Sequence, residues 1–307
     1  MHKINYPILA LIIANIIWGA TSPIIKFSLE NIPPISLAFL RFLLASIILY
    51  PFVHKNINYS DLKNKWLWMF SLSGITLNII FFFYALQRTA SINAPIIGSM
   101  GPIMVLVGSV IFLRERIKKS AIIGTGVSLA GILLIIFQPL LGKGMDGEIT
   151  GNLLLIVATL GAVISTVVGR KFLTPQNAAG MTFWACFIGT FTFLPFMLLE
   201  YGNNPGWMAN LDYRGVTGII FGGVFSSLIA YTIYDWALAK LPAYRTGVFT
   251  YIDPVIAIII AIPLLGEKIT LPFILGSILV FLGILIAEKR LHYHPLHKLL
   301  SNGKISL

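Results

Sequence analysis

Ten stretches of about twenty mostly apolar residues, joined by connections too short to fold alone, dominate this 307-residue chain and leave it few ways to fold. They run over 4–27, 34–53, 66–87, 92–113, 120–138, 150–171, 180–199, 214–238, 244–265 and 270–288. A soluble fold cannot hide that much apolar surface: 57% of the residues are hydrophobic and 11% charged, against roughly a quarter charged in an ordinary soluble domain. In a bilayer each stretch is long enough to cross as a helix, because about 20 residues reach across the ~30 Å hydrocarbon layer. Turn signals mark the joints, among them Asn31-Ile32-Pro33-Pro34, Gly142-Lys143-Gly144 and Gly202-Asn203-Asn204-Pro205-Gly206. The expected fold is all-α integral membrane, with ten transmembrane helices and the lipid bilayer as its solvent.

The chain opens with Met1-His2-Lys3 and an apolar run, as a signal peptide would, but the run continues past Trp18 without a small-x-small cleavage site. It is read as the first span, retained in the mature protein. With the N-terminus inside, 16 of the 22 Lys and Arg residues fall on the inner side. The positive-inside rule then puts both termini in the cytoplasm and the protein in the cytoplasmic membrane. The net charge of +11 is a consequence of that topology, and no basic, aromatic-rich surface stretch accompanies it to suggest nucleic acid. The single cysteine, Cys186, sits inside an apolar run and is assigned to packing, so neither a disulfide nor a Cys/His metal cluster can be built. His292, His294 and His297 are assigned to a solvated basic tail; no metal and no cofactor is expected.

An internal repeat organises the ten stretches. Shifting the sequence by 152 residues aligns 84–136 with 236–288 without a gap, and 11 of the 53 positions are identical. Aliphatic identities are cheap in this composition; Pro102 with Pro254, Glu115 with Glu267, Gly124 with Gly276 and Gly131 with Gly283 are not. The repeat divides the chain into 1–139, 148–290 and a short cytoplasmic tail, 291–307. Five spans per half is odd, so the second half enters the membrane upside down, giving two inverted five-helix repeats. The charges agree: Glu115 lies among Arg114, Arg116, Lys118 and Lys119, whereas Glu267 keeps only Lys268. Two copies related by an in-plane axis can exchange conformations around one midplane site, which is a transport mechanism.

Candidate residues follow from polar groups at membrane depth. Pro102 and Pro254, near the middle of the fourth and ninth stretches, remove a backbone donor and are expected to kink or open the helix at a gating point. Asp253 sits about ten residues into its stretch, on the order of 15 Å from the boundary, where a carboxylate costs several kcal/mol unless protonated or paired. It is a candidate proton carrier or partner for a cationic group. Arg41 could pair with it or hold an anionic substrate. Trp18 and Thr21, Asn78 and Tyr84, Tyr231 and Tyr234, and Tyr251 stand at depths suited to a substrate cavity, an apolar pocket with a few oriented polar groups. Asp235 is placed near the inner end of its span, in solvent. Gly161, Ser165 and Gly169, and Gly218 with Gly222, have the spacing of tight helix seams. The fifth and tenth stretches, nearly free of polar side chains, are expected to support the cavity from behind.

The order of these features resembles the EamA-type branch of the drug/metabolite transporter superfamily. The resemblance covers nearly the whole chain and rests on Trp18-Gly19-Ala20-Thr21-Ser22-Pro23, on Arg41-Phe42, and on a proline followed thirteen residues later by glutamate in both halves, Pro102 to Glu115 and Pro254 to Glu267. It implies an exporter of amino acids or related metabolites, with Trp18, Arg41 and the two prolines in or near the substrate path. This chain departs from the family at Gly161-Ala162, where a tryptophan like Trp18 is often expected, and in carrying Asp253. The expected partner is a small-molecule substrate, with protons as a second one.

Other readings make different demands. ATP-driven transport needs a Gly-Lys-Ser/Thr phosphate loop, which the sequence lacks. Exchange of sugar phosphates or nucleotide sugars needs several cavity cations, and beyond Arg41 and Lys26 there are few. An intramembrane aspartyl enzyme needs a second carboxylate at membrane depth, and none is evident in the sequence; a lipid flippase or assembly scaffold predicts no saturable solute flux.

Overall fold

The structure is a computed structural model that describes residues 6–55, 57–101, 103–104, 119–140, 149–241 and 248–287. Pro102, Glu115 with its neighbours Arg114, Arg116 and Lys118, and the histidine-bearing tail lie outside the described residues.

The described chain is a bundle of helices: α1 Tyr6–Ser28, α2 Pro34–Val53, α3 Lys65–Leu86, α4 Asn93–Gly98, α5 Lys119–Ile136, α6 Ile149–Phe172, α7 Ala178–Asn203, α8 Tyr213–Lys240, α9 Ile252–Leu265 and α10 Leu271–Ala287. Six of them, α1, α2, α3, α6, α7 and α8, are long and apolar enough to cross a membrane, and Ile123–Ile136, Phe249–Leu265 and Leu271–Gly283 are shorter apolar helices. Helices are the natural outcome for such segments, because in hydrocarbon each backbone N–H and C=O must be satisfied inside its own segment. Their ends are set by particular residues. Pro34 sits in the first turn of α2, where its missing N–H costs nothing. Gly266 ends α9 in the left-handed region, at φ 64°, which a side chain would resist.

Small residues decide how the helices pack. A Cβ added at Gly131 would lie 2.5 Å from Gly276 O, and one at Gly283 would lie 2.5 Å from Gly124 O. Ser128 Oγ also donates to Val280 O at 3.0 Å. Rising numbers on α5 therefore meet falling numbers on α10, so the two helices cross antiparallel at van der Waals distance. Gly124 and Gly276 are equivalent in the internal repeat, as are Gly131 and Gly283, and each touches the other pair's partner. That exchange is the signature of a local two-fold axis.

α1 packs on α8 and α9, and α6 on α3, through similar contacts. Gly19 of α1 lies against the backbone of Asp253 in α9, with Asp253 O 2.8 Å from a built Cβ, and Gly218 of α8 lies against Ser28 of α1 at 2.5 Å. On the other side a Cβ added at Gly161 of α6 would lie 2.6 Å from Ser73 O of α3, one at Gly74 would meet the Ser165 side chain, and Ser165 Oγ donates to Phe70 O at 3.1 Å. The Gly161, Ser165, Gly169 and Gly218, Gly222 stripes are thus helix seams in the structure. Between α2 and α7, Phe42 and Phe193 stack with ring centroids 5.9 Å apart.

Two of the long helices are wound more loosely in the middle. Residues Leu72–Leu77 of α3 and Phe221–Ala230 of α8 are π-helical. Shifted by the repeat offset of 152, the first stretch becomes 224–229, inside the second, so the irregularity recurs at equivalent positions. A second irregularity also recurs: α4 stops at Gly98 just before Pro102, and a 3₁₀ turn, Val248–Tyr251, precedes α9 just before Pro254. Pro254 occupies the first turn of α9, the place in a helix that tolerates proline.

Filling the Gly131 contact tests the α5–α10 crossing. Gly131→Val should force the helices apart and lower stability by about 1–3 kcal/mol, read as an earlier midpoint in denaturant titration of the detergent-solubilised protein; an unshifted midpoint would show that the close approach is not needed.

Candidate functional site

The middle of α1 is where the polar and aromatic groups from several helices converge. Trp18, partly exposed, holds its indole against the rings of Tyr231 at 5.3 Å and Tyr234 at 4.8 Å, both on α8. Its Nε1 donates to Ser226 O at 3.3 Å. Ser226 lies inside the π-helical stretch of α8, where the altered hydrogen-bond register leaves carbonyls open to partners from outside the helix. One turn along α1, Thr21 Oγ1 donates to Ile17 O at 2.9 Å and lies 3.2 Å from Ser226 Oγ.

Arg41 of α2 enters the same cluster from the other side. It is 1% exposed; Nε donates to Ser227 Oγ at 2.9 Å and Nη2 to Ser226 Oγ at 3.1 Å. Its guanidinium lies 4.9 Å from the Phe42 ring centroid and 5.6 Å from that of Phe83. Room for it comes from Gly222 and Gly223, which lie against Arg41 itself. Nη1 has no hydrogen-bond partner among the described residues, and no ion pair there joins Arg41 to Asp253. Asp253 stands in the first turn of α9, its backbone against Gly19, one residue from Trp18; its Oδ1 is buried and also without a partner among the described residues. A carboxylate there interacts favourably with the N-terminal end of the helix dipole.

Other candidates lie elsewhere. Asn78 Nδ2 donates to Ala158 O at 2.7 Å, in the α3–α6 seam. Tyr84 is near the end of α3, where the Arg88 guanidinium sits 5.7 Å from its ring. Tyr251 packs edge-on against Phe281 of α10, centroids 6.0 Å apart. Cys186 is fully buried. Asp235 departs from the sequence expectation: it is 2% exposed, 2.7 Å from Thr182 Oγ1 of α7, and not in solvent. Its position near the end of α8 suggested water, but α7 packs across that face.

One end of the bundle is closed by a buried polar network. Glu267, 4% exposed at its side chain, accepts from Lys26 Nζ at 2.9 Å, from Ser91 N at 2.6 Å and from Ile92 N at 3.2 Å. It thereby caps the start of α4 from the α9–α10 turn and ties it to the end of α1. Lys26 Nζ also donates to Thr89 O at 2.8 Å, and Thr89 Oγ1 donates to Asn152 Oδ1 at 2.7 Å. Asn152 Nδ2 reaches Ile135 O and Ile136 O at 3.2 and 3.3 Å. At the same end Glu200 of α7 caps α2, accepting from Ile35 N at 3.1 Å and Ser36 N at 2.7 Å. On the exposed rim, the Arg214 guanidinium hydrogen-bonds Asp212 and holds its carboxyl below the usual carboxylate range. Two shallow clefts, about 360 and 470 Å³, lie elsewhere on the bundle; both are almost wholly apolar in lining, and neither includes Trp18, Arg41 or Asp253.

The EamA-like transporter family model matches residues 5–137 and again 149–288. The chain belongs to the EamA-like transporter family. Among its relatives, an uncharacterized transporter of Archaeoglobus fulgidus is 30% identical over 89% of this chain and 95% of its own length. The uncharacterized transporter YetK of Bacillus subtilis is 27% identical over 90% of this chain and 85% of its own. A Salmonella typhimurium protein named "Probable amino-acid metabolite efflux pump" is 23% identical over 91% and 93%. A crystal structure 18% identical to this chain superposes with a TM-score of 0.62, covering 92% of this chain and 98% of the other, and shares its fold. The protein is a multi-pass membrane transporter.

Sequence reasoning missed the groups that complete the transporter's central cluster. Ser226 and Ser227 look like ordinary small residues in an apolar run; only their adjacency in an interrupted helix makes them ligands for Arg41 and Thr21. Breaking the closed end should be costly because Lys26 is left unpaired. We expect Glu267→Gln to lower stability by about 1–3 kcal/mol, near the low end since the Lys26 side chain keeps 27% exposure; denaturant titration that showed no loss would remove the pair as a tie.

Proposed function

We propose that this transporter is a secondary carrier that exports a small metabolite, an amino acid or related amphiphile, across the cytoplasmic membrane by alternating access. Its two halves, residues 1–139 and 148–290, act as inverted five-helix repeats, with both termini in the cytoplasm. The observation that carries this reading is the convergence, at the middle of α1, of an aromatic surface with two buried polar atoms of opposite charge type. Trp18, Tyr231 and Tyr234 make the surface; Arg41 Nη1 and Asp253 Oδ1 are the atoms. An α-amino acid has the complementary set, a carboxylate for Arg41, an ammonium for Asp253 and an apolar side chain for the aromatic rings. The name of the Salmonella relative points to the same solute class.

The paired helix breaks support the mechanism. Irregular backbone is tolerated at membrane depth where protein or a water-filled path covers it, and discontinuous helices commonly border such a path. The breaks before Pro102 and Pro254 and the π-helical stretches of α3 and α8 occupy repeat-equivalent positions. In this state the network around Glu267 and Lys26 holds one mouth shut, and the distribution of Lys and Arg along the sequence supports its being the outer one.

Sugar-phosphate exchange is less well served: Lys26 is committed to Glu267 and Thr89 O, leaving Arg41 as the cation at the cluster. The structure supplies the second buried carboxylate that an aspartyl enzyme would need, Asp235, but no hydrogen bond joins it to Asp253 and each faces a different neighbour.

Purified protein in liposomes should catalyse saturable counterflow of at least one member of a panel of radiolabelled L-amino acids. Trp18→Ala should reduce it strongly, and Asp253→Asn should raise KM by about 10- to 100-fold, the worth of one charge-assisted hydrogen bond. Flux that rises linearly with concentration for every amino acid, or variants indistinguishable from the parent, would overturn the proposal.

A further inference from the structure

Asp235 has no part in the solute site just described, yet it is an acid buried to 2% exposure between α7 and α8 of a membrane protein. Its contacts on α7 are specific. Thr182 Oγ1 lies 2.7 Å from Asp235 Oδ2 and 3.0 Å from Ala178 O. A hydroxyl has one hydrogen, so Thr182 cannot donate to both oxygens at once. With Asp235 ionised, Thr182 donates to one of the two oxygens; with Asp235 protonated, both short contacts are hydrogen bonds, Oδ2–H donating to Thr182 Oγ1 and Thr182 donating onward to Ala178 O.

The surroundings favour the same state. None of the ion pairs among the described residues includes Asp235. None of the titratable groups on the elements packed around it is hydrogen-bonded or ion-paired to Asp235 among the described residues. On α7 the facing group is Cys186, fully buried. On α8, Tyr231 is one helical turn away with its ring on Trp18 and Phe42, and Tyr234 is the preceding residue. The Lys240 ammonium lies over the Trp236 ring, 3.9 Å from its centroid. From α6, Arg170 Nη1 donates to Leu238 O at 2.6 Å; from α2, Arg41 is held by Ser226 and Ser227; Tyr6 of α1 is exposed. An ionised carboxylate with one hydroxyl for company at this depth would cost several kcal/mol.

We propose that Asp235, with Thr182 as its hydrogen-bond partner, is a proton-binding site, loaded in this closed state and discharged when α8 parts from α7 and water reaches the carboxyl. The placement one turn from Tyr231 links the site to the aromatic cluster, so that proton release and rearrangement of the solute site occur in one movement. The proton site itself follows from geometry; its coupling to flux rests on the transport function proposed above.

Infrared difference spectroscopy of the full-length protein in liposomes, stepped from acid to neutral pH, reads the carboxyl directly. A protonated-carboxyl C=O band should persist at neutral pH, well above the range near pH 4 in which exposed aspartates ionise. Asp235→Asn should abolish that band while Glu30→Gln, at an exposed acid, leaves it. Thr182→Val retains the acid but removes its acceptor, and should move the band to higher frequency; this variant decides the matter if Asp235→Asn fails to fold. A band unaltered by both variants, or one that titrates only in the ordinary acid range, would overturn the site. In the amino-acid counterflow assay, Asp235→Asn should lose the pH dependence of the parent while still exchanging solute. A superimposable pH profile would overturn the coupling, and absence of any flux in the parent would count against the transport function alone, leaving the spectral result to stand.

Discussion

A backbone carbonyl that loses its helical partner inside a bilayer has no water to turn to, so another part of the protein must supply a donor. In this transporter side chains reaching across helix seams donate to backbone carbonyls, both where a helix is irregular or ends and within regular turns. Trp18 serves Ser226 O, Ser165 serves Phe70 O, Asn78 serves Ala158 O, Ser128 serves Val280 O, and Asn152 serves the last carbonyls of α5. Three of these bonds fall in or beside the two π-helical stretches, where the backbone is out of its usual register. The helices can therefore bend and loosen in the middle without leaving polar groups stranded, but only while a specific neighbour stays in contact.

The two ends of that dependence behave differently. Around Glu267 the bonds are charge-assisted and numerous, joining the end of α1, the start of α4 and the turn between α9 and α10. Around Trp18 the bonds run through the hydroxyls and carbonyl of Ser226 and Ser227 and are mixed with aromatic contacts, with Arg41 and Asp253 each keeping an atom unpartnered among the described residues. In the mechanism proposed above, a rigid tie at one end of the bundle beside an incompletely satisfied centre lets a solute, by completing the centre, shift the balance between two packings. Asp235 adds a third element, an acid whose environment suits a neutral carboxyl and changes with the α7–α8 contact.

Much of the fold was legible from periodicity and length alone. Six of the expected stretches are described helices long enough to cross a membrane, the fifth and tenth are shorter apolar helices, the helix of the ninth starts only at Ile252, and Gly124, Gly131, Gly276 and Gly283 stand out by their repeat spacing alone. Of the site, Trp18, Thr21, Arg41, Tyr231, Tyr234 and Asp253 were singled out by polarity at depth. Asn78 and Tyr84 satisfied the same criterion, yet occupy the α3–α6 seam and a helix end. Depth along a helix says how far a group is from water; it does not say which side of the helix faces which neighbour. Asp235 shows the reverse error: counted near a span end it looked solvated, and the covering face of α7 could not be foreseen from α8.

What the amino-acid sequence by itself determined is the class of structure, an all-helical membrane protein, because long apolar runs with few charges admit little else, and an internal offset of 152 residues that survives in prolines, glycines and glutamates. Only the tertiary structure decided the partners: that Arg41 binds Ser226 and Ser227 and not Asp253, that Lys26 binds Glu267, and that Asp235 lies against Thr182. The reason is physical. Hydropathy is a property of each segment taken alone, whereas a hydrogen bond between residues some 50 to 240 positions apart depends on the rotation and crossing of two helices, and small residues such as Gly19, Gly131 and Gly222 set that crossing by what they leave out.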